Sequence, residues 1–176
     1  MRKLVPFAHA KNLYEIDIEF FKSNGVNMLF LDLDNTLDSY KLRKPSKEAI
    51  LLIKKFIQSG ISVAIFSNNR KERVKEYADV MGIDYMWSVG KPFPFKINKY
   101  VKMNGLNKDN IMVVGDQLLT DVLAGNRAKI RTILTEKLVE EDQPTTRFNR
   151  IFDRPIRKRL LKKGLLIDWR DKYGSR

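Results

Sequence analysis

At 176 residues, with 43% hydrophobic and 31% charged residues, the chain is long enough for one globular domain with a substantial core. It has no cysteine and a single histidine, His9, which sets aside disulfides, a thiolate zinc site, a cysteine nucleophile and phosphohistidine chemistry and leaves carboxylates and a metal ion. A formal charge of +13 points to anionic partners, while no apolar run approaches the roughly 20 residues of a membrane span or makes a signal peptide, so a cytoplasmic chain is expected.

The pattern predicts an N-terminal helix from Ala10 to Lys22, with Leu13, Ile16, Ile18, Phe20 and Phe21 on its apolar side, and an Asn24-Gly25 turn into a first strand, Val26 to Leu33. A helix follows from Pro45-Ser46 to Gln58, with Glu48 in its first turn and Gly60 just past its end. A second strand, Ile61 to Phe66, leads to a helix from Arg70 to Val80 closed by Gly82, and a short strand at Asp84 to Val89 leads to a helix from Pro92 to Met103 closed by Gly105. The strand Asn110 to Val114, a helix near Leu118 to Asn126 and a strand Ile130 to Leu134 complete the alternation, which argues for an α/β fold with a mainly parallel sheet and right-handed crossovers.

Residues Glu136 to Thr146 read as a polar connector. From Arg147 onward, Arg147, Arg150, Arg154, Arg157, Lys158, Arg159, Lys162 and Lys163 face Asp153 alone, interleaved with Phe148, Ile151, Phe152, Ile156, Leu160 and Leu161. This spacing predicts a basic amphipathic helix that Pro155 starts or kinks. The division expected is a catalytic domain over 1–140 and a basic extension over 141–176, packed on the domain or lying at a membrane surface.

Four segments carry chemistry: Asp32-Leu33-Asp34-Asn35-Thr36-Leu37, Ser67-Asn68-Asn69, Lys91-Pro92, and Gly115-Asp116 with Asp121. Three of them directly follow predicted parallel strands, so their side chains should meet beyond the carboxyl ends of the sheet. Phosphomonoester hydrolysis needs a nucleophile, a proton donor and cationic groups, and there is a candidate for each. Asp32 would attack phosphorus, and Asp34 would protonate the leaving oxygen and then activate water. Two nearby carboxylates push one pKa upward, which helps one of them carry a proton. Asp116 would join Asp32 in binding Mg2+, with Asp121 in an outer shell. Ser67 and Lys91 would cradle the phosphate. Singly, each segment also reads as a turn or a helix cap.

In this order the segments resemble the four motifs of the haloacid dehalogenase (HAD) superfamily over about Met28 to Leu134. The stretch from Gly115 to Val122, Gly125-Asn126-Arg127, Thr132-Ile133-Leu134 and the tail residues Asn149-Arg150 and Arg154-Pro155 resemble its YqeG-type subgroup, related to mitochondrial phosphatidylglycerophosphate phosphatases. The resemblance implies a Rossmann-like three-layer sandwich without a large cap domain. It adds Asn68 to the phosphate-binding residues and the backbone carbonyl of Asp34 to the metal ligands, and it implies conversion of phosphatidylglycerophosphate to phosphatidylglycerol. Asp34 favours a phosphatase, because transporting ATPases of the superfamily typically carry threonine there and dehalogenases lack this acid. Lys129 departs from the pattern, standing where a small residue, often glycine, is expected.

The partner expected is an anionic phospholipid surface met by the basic tail, with peripheral membrane association and no obligate protein partner. In the competing reading Phe148, Phe152 and Leu160 pack onto the domain and the charges are a solvated face. Two further alternatives are a HAD phosphatase of a soluble or nucleic-acid phosphate and an RNA- or ribosome-binding protein on the same fold.

Overall fold

A computed structural model describes residues 2–139 and 144–174, of which 144–150 are described in backbone only. Twelve elements follow in chain order: β1 (Ala8–Ala10), α1 (Ile18–Ser23), β2 (Met28–Leu31), α2 (Lys47–Gln58), β3 (Ser62–Phe66), α3 (Lys71–Met81), β4 (Asp84–Met86), α4 (Phe95–Met103), β5 (Ile111–Gly115), α5 (Leu123–Ala128), β6 (Arg131–Thr135) and α6 (Pro144–Lys162). Between β5 and α5 the residues Leu118–Val122 form one π-helical turn.

The six strands make one parallel sheet in the order β1-β6-β5-β2-β3-β4. Central strands are apolar on both faces because both are covered. Leu29, Leu31, Val63, Ile65 and Val114 pack with Phe56 of α2 and Tyr77 of α3. Met28, Phe30, Ala64, Phe66 and Val113 pack with Ile97 of α4 and Ala124 of α5. The result is a Rossmann-like three-layer α/β sandwich, and among the described residues no inserted cap domain covers the strand ends. Strand order reverses between β2 and β5, which places the ligand crevice of such sheets between Asp32 and Asp116.

The N-terminal region differs from expectation. Instead of a helix over 10–22 the chain forms strand β1, a 3-10 turn over Leu13–Glu15 and the six-residue α1. Asn12 accepts a hydrogen bond from the Glu15 amide at 3.0 Å and starts the turn, while extended backbone at Ile16 and Asp17 separates it from α1. These capping preferences outweigh the apolar spacing. The helix expected from Leu118 to Asn126 is split into the π turn and α5. Pro155 lies inside α6 rather than at its start.

Left-handed Gly82 closes α3 as the sequence predicts, while α2 starts at Lys47 because Ser46 caps it through the Ala49 amide at 3.0 Å, which leaves Pro45 ahead of the helix. Lys129 ends α5 at φ 59°, the left-handed conformation that explains the expectation of glycine there.

Between Asp153 and Trp169 the chain packs against the rest of the domain at several points. Leu160 is fully buried with Leu118, Val122 and Leu134, and Trp169 packs edge-on against Phe20 at 5.6 Å inside the larger core. The connector residues Glu140, Glu141 and Asp142 lie outside the described residues, as do the side chains of Arg147, Phe148, Asn149 and Arg150. No helix among the described residues is long and apolar enough to cross a membrane.

Candidate active site

Each strand of the sheet's centre hands one polar residue to the crevice. Asp32 follows β2 and hydrogen-bonds through its amide to the Val114 carbonyl of β5 at 2.9 Å, which fixes it beside Asp116. Asp116 follows β5 and is fully buried. Asp121 comes from the π turn, where its carboxylate accepts the Gln117 amide at 3.1 Å. The three carboxylates offer oxygens that all lie within 4.8 Å of one another. Lys91 enters from the β4–α4 connection and donates to Asp32 Oδ1 at 2.5 Å, Asp121 Oδ1 at 2.6 Å and the Phe66 carbonyl at 2.9 Å.

Burial pushes the Asp32 carboxyl well above the usual carboxylate range; Lys91 opposes the shift, and the Asp121 and Asp116 charges add to it. Burial works to lower Lys91, but Asp121 and Asp32 overcome it and hold the ammonium above its ordinary value. At these distances the ammonium stays charged, and the upward pressure on Asp32 comes from burial and from three carboxylates sharing one cation. Their formal sum is −2, from three carboxylates and one ammonium. An all-oxygen donor set with that charge fits a divalent cation, which Asp32, Asp116 and Asp121 would hold. When bound, such an ion supplies positive charge to the oxygens of a phosphoryl group.

Asp34 is not part of this cluster. Its Oδ1 takes Arg73 Nη2 at 2.6 Å and Nε at 3.2 Å, and its Oδ2 takes Asn69 Nδ2 at 2.6 Å. The upward push expected from a pair of neighbouring aspartates therefore falls on Asp32, through burial and through Asp121 and Asp116. Ser67, buried at the end of β3, accepts the Asn69 amide at 3.1 Å. Asn68 has both ends of its amide on the Lys91 backbone, accepting from the nitrogen at 2.8 Å and donating to the carbonyl at 3.1 Å, so here it positions Lys91.

Several contributors escape the sequence pattern. Arg73 also donates to the Leu42 carbonyl at 2.7 Å and lies over the Tyr77 ring, tying the loop after the first motif to Asp34. A β-carbon at Gly115 would stand 2.2 Å from Asp121 Cγ, so only glycine lets this carboxylate into the cluster. From α6, Asp153 accepts the amides of Leu118 and Leu119 at 2.9 and 3.3 Å, and Arg157 donates to the Asp116 carbonyl at 2.8 Å. The one available signal was Asp153 itself, a lone acid among eight bases and four residues before Arg157.

The HAD-hydrolase-like family model matches residues 88–151. The chain is 36% identical over 167 residues to "Probable phosphatase YqeG" of Bacillus subtilis (strain 168), covering 95% of this chain and 96% of that protein. It is 29% identical over 174 residues to "Phosphatidylglycerophosphate phosphatase 1, chloroplastic/mitochondrial" of Arabidopsis thaliana, covering 92% of this chain but only 49% of that relative. The crystal structure of 3-deoxy-D-manno-octulosonate 8-phosphate phosphatase from Yersinia pestis superposes with a TM-score of 0.52 at 14% identity, over 69% of this chain and 78% of that one, and shares the fold. With its motifs at the strand ends of this sheet and its relative matched nearly end to end, the chain belongs to the YqeG-type phosphatases of the HAD superfamily.

Proposed function

We propose that the chain is a Mg2+-dependent phosphomonoesterase that works through an aspartyl phosphate on Asp32 and acts on phosphatidylglycerophosphate. The observation that carries the mechanism is Lys91 bridging Asp32 and Asp121 inside a buried three-carboxylate cluster. A carboxylate oxygen of Asp32 attacks phosphorus while the ester P–O bond breaks, and Asp34, once it has taken a proton from solvent and turned from Arg73 toward the leaving oxygen, gives that proton to the leaving alkoxide. Asp34 then takes a proton from water, whose oxygen attacks the aspartyl phosphate, releasing inorganic phosphate and restoring Asp32. Ser67 and Lys91 hold the phosphoryl oxygens during both steps. Asp32, Asp116 and the backbone carbonyl of Asp34 would hold the Mg2+ directly, with Asp121, the third carboxylate of the cluster, holding it from the outer shell while it orients Lys91.

The substrate reading draws on the name of the Arabidopsis relative, on the absence of a cap among the described residues and on the basic α6. An open site suits a headgroup presented at a surface. In this reading the residues past 140 serve as the basic extension, and Ile151, Phe152 and Leu161, exposed at 66, 50 and 65%, face an anionic bilayer with Arg154, Lys158 and Lys162.

The test is Mg2+-dependent phosphate release from phosphatidylglycerophosphate in anionic vesicles, beside glycerol phosphate and a phosphate-ended RNA, with Asp32→Asn as the blank. Release from the lipid alone, lost in the blank, supports the reading. Preference for glycerol phosphate or RNA overturns the substrate, and full activity in Asp32→Asn overturns the mechanism.

A further inference from the structure

Trp87, Phe93 and Phe95 are 39, 55 and 74% exposed within nine residues of chain, beside the phosphate cradle. Single exposed rings are ordinary, but three around one connection form a patch. Phe93 and Phe95 stack at 6.0 Å with 14° between their planes. Lys96 and Lys71 lie 4.7 and 5.8 Å from the centre of Trp87, and Arg127 lies 5.6 Å from that of Phe93 while donating to the Pro92 carbonyl at 3.1 Å. The stretch from Trp87 to Lys96 contains no acid. Pro92 and Pro94 restrict its backbone, so the rings are held outward at little further cost in conformational entropy.

The same connection carries Lys91 into the site, while the Phe93 and Phe95 side chains take no part in the cradle's hydrogen bonds. The Val89 amide bonds to the Ser67 carbonyl at 3.2 Å, Asn68 clamps the Lys91 backbone, and Lys91 reaches Asp32. Whatever these rings enter therefore lies beside the phosphate cradle.

We propose that Trp87, Phe93 and Phe95, with Lys71, Lys96 and Arg127, form a docking surface for an anionic lipid bilayer, the rings entering the headgroup layer and the cations meeting lipid phosphates. This deepens the lipid-substrate reading above and rests on it. Amphipathic rings flanked by Lys and Arg are suited to a membrane interface, where each basic residue raises partitioning to an anionic surface about fivefold. Nucleic acid fits less well. Cations already lie over Trp87 and Phe93, and Phe93 and Phe95 cover one another, so the faces on which bases would stack are largely engaged.

The chain has two tryptophans, and Trp169 is buried, so Trp87 reports contact directly. Full-length protein is mixed with vesicles of phosphatidylcholine, with and without phosphatidylglycerol, carrying brominated acyl chains. Trp87 emission should shift to the blue and be quenched only where phosphatidylglycerol is present. Phe93→Ser with Phe95→Ser should weaken sedimentation with those vesicles about tenfold or more, while p-nitrophenyl phosphate turnover stays at the wild-type rate. Unquenched Trp87, or wild-type vesicle binding by the double variant, overturns the proposal. If binding survives in that variant but is lost in Ile151→Ser with Phe152→Ser, docking belongs to α6, and the lipid substrate stands without this surface. If the wild type docks through these rings yet releases no phosphate from phosphatidylglycerophosphate in the same vesicles, the surface stands and the substrate falls. A Trp87 response to phosphate-ended RNA without one to vesicles overturns it in favour of nucleic acid.

Discussion

Asp153→Ala tests whether α6 shapes the turn that presents Asp121. The Asp153 side chain is 2% exposed and accepts from the amides of Leu118, at 2.9 Å, and Leu119, at 3.3 Å, at the start of the turn that presents Asp121. Truncation leaves the buried Leu118 donor without its acceptor, at about 2 kcal/mol, and the longer, half-buried Leu119 bond adds about 1 kcal/mol. Relief from burying the carboxylate itself offsets a part, so the net loss should be about 2–3 kcal/mol. For a chain of this length that lowers the melting temperature by roughly 4–12 °C. Asp153→Asn keeps one acceptor oxygen and should lose about 1 kcal/mol. The assay pairs thermal melting by circular dichroism with turnover of p-nitrophenyl phosphate at temperatures where the variants are folded. Activity should fall with the helix contact, because the turn carries Asp121. A melting temperature within a degree of wild type in Asp153→Ala, or undiminished turnover, would refute the reasoning.

Arg73→Gln removes the two charged donors to Asp34 Oδ1, and misplacing a proton-transfer group by a fraction of an ångström costs on the order of 10–100-fold in rate. We expect kcat to fall by that factor with KM for a soluble phosphomonoester little changed; equal kcat would show that Asn69 alone positions Asp34. Lys129→Gly relieves a left-handed residue, worth about 1–2 kcal/mol, against about 0.5–1 kcal/mol of added chain entropy, so urea melts should show a gain of roughly 0.5–1 kcal/mol. A loss of stability would mean that the lysine side chain contributes more than its backbone costs. Glu136 accepts from His9 at 2.8 Å, which holds its carboxyl below its ordinary value against the opposing effect of burial, with Arg157 at 2.7 Å adding to the shift. Its folded pKa is the lower one, so its contribution is full above about pH 4.5 and disappears as pH falls through the folded value. Urea midpoints of wild type and Glu136→Gln should therefore differ at neutral pH and converge in acid; a constant gap would count against the linkage.

The parts of the fold visible in the sequence are those decided locally. Strands β2, β3 and β5 are apolar runs because both sheet faces are covered, and each ends at the residue it delivers, so Asp32, Ser67 and Asp116 could be placed before any coordinate. Strand β1 was not legible. Ala8-His9-Ala10 has no β-forming composition and is held at the edge by pairing with β6 and by the Phe7 amide on the Thr132 carbonyl at 2.8 Å, more than a hundred residues away. The supports of the site were hidden for the same reason. Arg73 reaches Asp34 across 39 residues and Asp153 reaches Leu118 across 35, distances at which periodicity carries no information.

Of the two readings of the basic tail, packing on the domain holds for Leu160 but not for Phe152, which is exposed, and membrane contact is a proposal for the other side of the same helix. Asp153, Ile156, Arg157 and Leu160 recur at helical spacing and face inward, onto the π turn, the Asp116 carbonyl and the cluster of Leu118, Val122 and Leu134. Ile151, Phe152, Arg154, Lys158 and Lys162 are exposed. Removing α6 to test membrane contact would therefore strip the support of Asp116 and Asp121 together with the outer face, and soluble and lipid substrates would be lost alike. Substitutions confined to the outer positions separate the two roles. They leave Asp153 and Arg157 in place, and a loss confined to lipid hydrolysis would then belong to the surface alone.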